Sequence, residues 1–150
     1  NLVETMSGIG GIGLSANQCG IPVRAFAMFT NLDKKQATMF FNPEITWVSE
    51  ETEMFVEGCL TYPSLYVRIK RSSWIRSKFY DVNGELQTQK FNGITARCFQ
   101  HEVDHLNGIV YLNRASKIHL ERSKRKLKLL KRKQKKMIDT PMIKTSEETV

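Results

Sequence analysis

The chain has 150 residues, 41% hydrophobic and 25% charged, which is one domain's length with enough apolar material for a core. No apolar run approaches the roughly 20 residues that a bilayer-spanning helix needs, and no charged-then-apolar leader of the secretory type is visible. The net charge of +8 is very uneven: Arg114 to Met137 holds twelve Lys or Arg against one acid, Glu121, so the rest of the chain is net acidic.

In chain order, residues 1–7 read as the end of a helix, stopped by Gly8, Gly10, Gly11 and Gly13. Val23 to Phe29 is a strand-like apolar run. Met39–Phe41 and Glu44–Val48 read as short strands separated by an Asn42-Pro43 turn. Leu65–Lys70 and Ser73–Asp81 are further strands. Asn83-Gly84 predicts a two-residue hairpin turn with positive φ at both positions, joining Lys78–Tyr80 to Leu86–Thr88. From Gly93 the apolar period becomes helical, through Ile94, Cys98, Phe99, Val103 and Leu106, and Asn107-Gly108 predicts a left-handed C-terminal cap. Ile109–Tyr111 reads as a short strand or turn. A second helix runs from about Ser116 to Ile138, with Leu120, Leu127, Leu130 and Met137 as a partial apolar stripe. The polar segment from Thr140 to Val150 reads as disordered. The fold class is α+β: short, mostly antiparallel strands around one buried helix, plus a basic C-terminal helix.

Chemistry concentrates in His101-Glu102-Val103-Asp104-His105. Two imidazoles four residues apart on a helix share one face and can hold one cation, and Glu102 beside them can handle protons without being a ligand. A third protein ligand is needed. Cys59, in Glu57-Gly58-Cys59-Leu60-Thr61, is a candidate, although composition alone does not choose it over Cys19 and Cys98. Three widely spaced cysteines argue against a disulfide framework and for a reducing compartment. The third segment is Gly11-Ile12-Gly13-Leu14-Ser15-Ala16-Asn17-Gln18. Its glycines permit close backbone approach to a bound group, and Gln18 offers an amide donor. A dinucleotide loop is excluded, because the third glycine and a surrounding βαβ pattern are both missing.

Together, GIGLSANQ (11–18), EGCLT (57–61) and QHEVDH (100–105) resemble, in order, the three signature motifs of the peptide deformylase family. The resemblance spans about residues 2–112. It implies a deformylase-like α+β fold with Cys59, His101 and His105 as metal ligands and Glu102 as general base and acid. It further implies that Gln18 and the backbone N–H of Leu60 stabilise an oxyanion. Gly13 and Gly58 would align a strand-like substrate, and Ile12, Phe55, Ile94, Arg97 and Cys98 would wall its first side-chain pocket. Arg71 would brace Asp104 beneath the metal helix. The implied cofactor is one divalent metal, Fe(II) in the first instance, with Zn(II), Ni(II) or Co(II) as substitutes. The implied reaction is hydrolysis of the N-formyl group from N-formylmethionyl nascent peptides, releasing formate.

Some positions leave the family pattern. Ser15 stands for alanine and Thr61 for serine, both small. Tyr66 replaces an arginine common at the substrate's edge, and Arg97 replaces an apolar residue. The expected organisation is a catalytic domain over 1–113 whose first strand and helix are missing, a basic helix over 114–138 and a tail over 139–150. That helix could dock on ribosomal RNA through backbone charge. The expected location is cytoplasmic, in a bacterium or phage-infected cell, or organellar. Two competing readings remain. One is a zinc peptidase with His119 or Glu121 as third ligand; the other is a basic RNA- or ribosome-binding protein with a structural metal.

Overall fold

The computed structural model describes residues 1–139. The expectation for the tail concerns 140–150 almost entirely and lies outside the described residues. The first helix, α1 (Leu2–Gly8), is capped by Asn1, whose Oδ1 accepts from Val3 N at 2.9 Å, and it buries Met6. Seven strands follow: β1 (Gly13–Ser15), β2 (Ala25–Asn31), β3 (Gln36–Val48), β4 (Thr52–Cys59), β5 (Tyr62–Ser72), β6 (Trp74–Tyr80) and β7 (Leu86–Asn92). The helix α2 (Gly93–Leu106) and the long α3 (Lys117–Asp139) complete the order, with short 3-10 turns at Ala16–Cys19 and Tyr111–Arg114. The strands form a five-stranded antiparallel sheet, β1-β2-β3-β6-β7, and a separate β4-β5 hairpin. The α+β expectation holds.

Side-chain period explains which faces are buried. In β6, Ile75, Ser77 and Phe79 point inward while Arg76, Lys78 and Tyr80 are exposed, the alternation of a half-buried strand. The inner face packs on α2 through Phe26, Phe40, Phe79, Phe91 and Phe99. Phe99 meets Phe26 and Phe40 edge-on at 5.0 and 5.3 Å, the arrangement that ring quadrupoles favour. β2 lies between two clusters. Phe26 and Met28 face α2, while Ala27 faces Met6 and Leu14.

Two local expectations are corrected. Asn42-Pro43 does not divide the segment into separate strands. It is a bulge inside the single strand β3, where Asn42 takes φ +47° and the pairing with β6 slips between Phe41 and Glu44. Proline's missing donor is tolerated at such an irregularity. At the β6–β7 turn only Gly84 has positive φ, at +77°, and Asn83 does not. The Asp81 carboxylate accepts from the N–H groups of Asn83 and Glu85, and Asp81 pairs with Glu85, giving a three-residue loop that ends in a left-handed glycine. The end of α2 follows expectation: Gly108, at φ +72°, donates to His105 O, and Ile109 N donates to Asp104 O.

The expected stripe on α3 is half used. Leu120 and Leu127 pack against Leu65, Val67 and Ile69 of β5, whereas Leu130 and Met137 are exposed. No helix among the described residues is long and apolar enough to cross a membrane.

Candidate metal centre

The β4–β5 hairpin delivers Cys59 at its turn, and α2 presents His101 and His105 one turn apart toward it. Their ligand atoms all lie within 4.8 Å of one another. Cys59 Sγ is 3.2 Å from His105 Nε2, which is 3.1 Å from His101 Nε2. This is the one such group of three among the described residues, and neither His119 nor Glu121 belongs to it. The zinc-peptidase alternative therefore loses its third ligand.

The donors are electrostatically prepared. Burial would raise the Cys59 thiol, but hydrogen bonds with His101, His105 and Thr61 outweigh it and hold the thiol at about 5. Burial would lower His101. Its contacts with Cys59 and Glu57 prevail and raise the ring to about 9. Glu57 is also buried, yet His101 and Arg71 hold its carboxyl at about 2, so it is an acceptor and His101 Nδ1 donates to its Oε2 at 3.0 Å. That bond leaves Nε2 facing Cys59 and His105.

Glu102, on the same helix, is 3% exposed, and its Oε2 has no hydrogen-bond partner in the protein. Burial raises its carboxyl to about 7, although His101 and His105 act to lower it. A buried carboxylate oxygen left without a partner calls for an explanation. It lies beside a thiol and two imidazoles whose ligand atoms converge, residues that would hold a divalent metal ion. The donor set suits a divalent transition metal.

Cys59, His101 and Glu102 open into a cavity of about 440 Å³, whereas His105 is buried behind its lining. Of the sequence-predicted residues, Ile12, Gly13, Gln18, Gly58, Cys59, Leu60, Ile94, Arg97, Cys98, His101 and Glu102 line it. Phe55 does not: it is 58% exposed on β4, with the Arg97 guanidinium 5.7 Å from its ring centre. Tyr66 lines the cavity and covers Gly58 so closely that a Cβ there would meet the ring at 2.7 Å. Gln18 is fixed by its oxygen, which accepts from Ser15 N and Ser15 Oγ at 3.0 and 2.8 Å. Its Nε2 is thereby turned toward Cys59 Sγ, 3.7 Å away, and Thr61 Oγ1, 3.2 Å away. Asn17 donates to His105 O at 2.7 Å and ties the glycine-rich segment to the metal helix.

Beneath the site, Arg71 donates to Asp104 Oδ2 at 2.8 Å and also grips both oxygens of Glu57. Sequence reasoning missed three features here. Glu57 orients His101. Arg114 holds the far side of Asp104 at 2.7 Å. Arg97, which lines the cavity, also donates to Glu57 Oε1 and to the carbonyls of Glu53 and Ile69. Glu57 was visible inside the second motif. Arg114 carried no local signal, since its partner lies on another element.

Comparison with known proteins agrees with this geometry. The family model for polypeptide deformylase matches residues 1–121. A peptide deformylase from Afipia carboxidovorans is 38% identical over 130 residues, covering 84% of this chain and 75% of its own. The crystal structure of peptide deformylase from Thermotoga maritima superposes with a TM-score of 0.72 at 41% identity, covering 77% of this chain and 76% of that one. A class I type b peptide deformylase from Acinetobacter baumannii, solved with Met-Ala-Ser bound, gives a TM-score of 0.70 at 33% identity, covering 75% and 76%. With that match across most of its length, and the three motifs gathered around one cavity, the chain belongs to the polypeptide deformylase family.

Proposed function

We propose that this chain hydrolyses the N-formyl group of formylmethionyl peptides at the cavity bounded by Gly13, Gly58 and α2, with Cys59, His101 and His105 holding one divalent metal ion. The observation that carries the reading is the convergence of these three donors beside the unpartnered Glu102 oxygen. Family membership implies a divalent metal; Fe(II) is the proposed identity, and one thiolate with two imidazoles also suits Zn(II). Bound there, such an ion supplies Lewis acidity, acidifying water and polarising a carbonyl oxygen.

The remaining chemistry belongs to this chain's own residues. Glu102, buried and held near neutrality, takes the proton of the attacking water and returns it to the departing amine. Gln18 Nε2, aimed across Cys59, and the Leu60 N–H donate to the oxygen that gains negative charge as the carbonyl becomes tetrahedral. The backbone at Gly13 and Gly58, both on the cavity lining, aligns a substrate main chain in extended form. Ile12, Ile94 and Cys98 give the first side chain an apolar wall. A structural metal alone would leave Glu102 without a purpose. The test is Glu102→Gln: metal content should be retained while formate release from formyl-Met-Ala-Ser falls by about 10²–10⁴-fold. Full activity in that variant would refute the mechanism.

The nascent-chain setting assigns α3 a partner. Lys124, Lys128, Lys131, Arg132 and Lys135 crowd one side of the helix. That density supports the reading that α3 docks on ribosomal RNA through phosphate charge.

A further inference from the structure

We propose that Arg97 is a positioning residue for the metal centre, setting the spacing between the Cys59-bearing strand and the histidine-bearing helix. The proposal rests on the metal reading above.

Arg97, His101 and His105 recur every four residues along α2 and so form one stripe. The first two converge on one carboxylate. Glu57 Oε1 accepts from Arg71 Nε at 2.6 Å and Arg97 Nη1 at 2.7 Å. Its Oε2 accepts from Arg71 Nη2 at 2.9 Å and His101 Nδ1 at 3.0 Å. Each oxygen thus has two donors, which saturates a carboxylate's roughly four acceptor positions. The Arg97 and Glu57 side chains are only 8% and 5% exposed, so water does not replace a lost partner. Without Arg97, Oε1 keeps one donor. The carboxylate can then swing about the Arg71 fork, and the imidazole it holds turns with it.

Arg97 also reaches past Glu57. Its Nη2 donates to Glu53 O at 2.8 Å and its Nη1 to Ile69 O at 3.1 Å. Glu53 and Glu57 lie four residues apart on β4, and Glu57 comes two residues before Cys59 on that strand. One guanidinium therefore pins β4 and β5 to the helix that carries the other two ligands. The alternating chain Arg97–Glu57–Arg71–Asp104–Arg114 continues this clamp beneath His105. Arg97 lines the cavity beside the apolar Ile94 and Cys98 while its donors are committed to Glu57, Glu53 O and Ile69 O.

Partners of metal-bound histidines are worth roughly 10–100-fold in metal affinity. The test loads the full chain with one equivalent of Co(II) and follows two readouts that need no turnover: the visible spectrum of the cobalt–thiolate site and the rate of cobalt release to excess EDTA. Arg97→Leu should release cobalt at least tenfold faster and alter the spectrum. Arg97→Lys, which keeps the charge but offers no fork to Glu53 O, should fall between it and the parent. Should Arg97→Leu fail to fold, by circular dichroism, Arg97→Lys alone decides. A lower melting temperature with unchanged release and spectrum overturns the proposal, as does failure of both variants to fold, since each reduces Arg97 to a packing brace. A parent chain that binds no stoichiometric cobalt refutes the metal reading itself.

Discussion

Gly13 backs directly onto Glu102: a Cβ at position 13 would fall 2.5 Å from Glu102 Oε1 and 2.6 Å from Cys98 Sγ. Both neighbours are buried on α2, so neither can retreat into solvent. Gly13→Ala should therefore displace the carboxylate rather than unfold β1. A misplacement of about 1 Å at a proton-transferring group can cost 10²-fold in rate. We expect kcat to fall by about that factor, with metal content unchanged by elemental analysis. An alanine variant with parental kcat would show that Glu102 tolerates the shift.

Gln18 has its amide oxygen committed to Ser15 and its Nε2 turned toward Cys59 Sγ. Gln18→Ala should lower kcat by about 10²–10³-fold, as removal of an oxyanion donor does, with KM nearly unchanged. Steady-state formate release separates the two parameters. A rise in KM at constant kcat would instead assign Gln18 to ground-state binding.

Glu57 has its carboxyl lowered from an ordinary 4.5 to about 2, against the opposing effect of burial, by His101 and Arg71. A depressed folded-state value means stability that is fully present above about pH 4.5 and is lost as pH falls toward 2. The shift corresponds to on the order of 3 kcal/mol. Urea unfolding of the parent and of Glu57→Gln between pH 6 and 3 should show a stability gap that is constant at the upper end and narrows below about 4.5. A gap independent of pH would contradict the assignment.

The basic helix cannot be tested by simple deletion. Arg114 pairs with Asp104, Ala115 bridges to Ile69, and Leu120 and Leu127 cover β5, so cutting at residue 114 would damage the core. Replacing Lys124, Lys128, Lys131 and Lys135 by glutamate spares those interactions. Ribosome co-sedimentation should then weaken, with a shallower dependence on salt, by about 0.7–0.9 in log–log slope for each phosphate no longer neutralised. Formate release from a free formyl peptide should not change. Binding insensitive to both salt and these substitutions would exclude α3 as the docking element.

Much of the site was legible because its signals are local. His101 and His105 share one helix face by spacing alone, with Glu102 next to the first in sequence, and Asn107-Gly108 marked where that helix ends. What escaped depends on partners distant in sequence. Glu57 meets His101 across 44 residues, and Arg97 meets Glu57 across 40, so neither role has a local pattern. Asn42-Pro43 carries the dipeptide of a turn, yet pairing with β2 and β6 on either side overrides it and makes a bulge. At Asn83-Gly84 the hairpin was correctly read and its turn was not, because the Asp81 carboxylate satisfies two loop N–H groups and selects a different loop. β4 also escaped notice, since its burial pattern lacks alternation until Glu57.

The most direct test of the central claim is formate release from formyl-Met-Ala-Ser by anaerobically purified protein whose metal content is determined in the same sample. Turnover should scale with one metal per chain, disappear on chelation and return on adding Fe(II). Protein that carries one metal per chain and releases no formate would contradict the account.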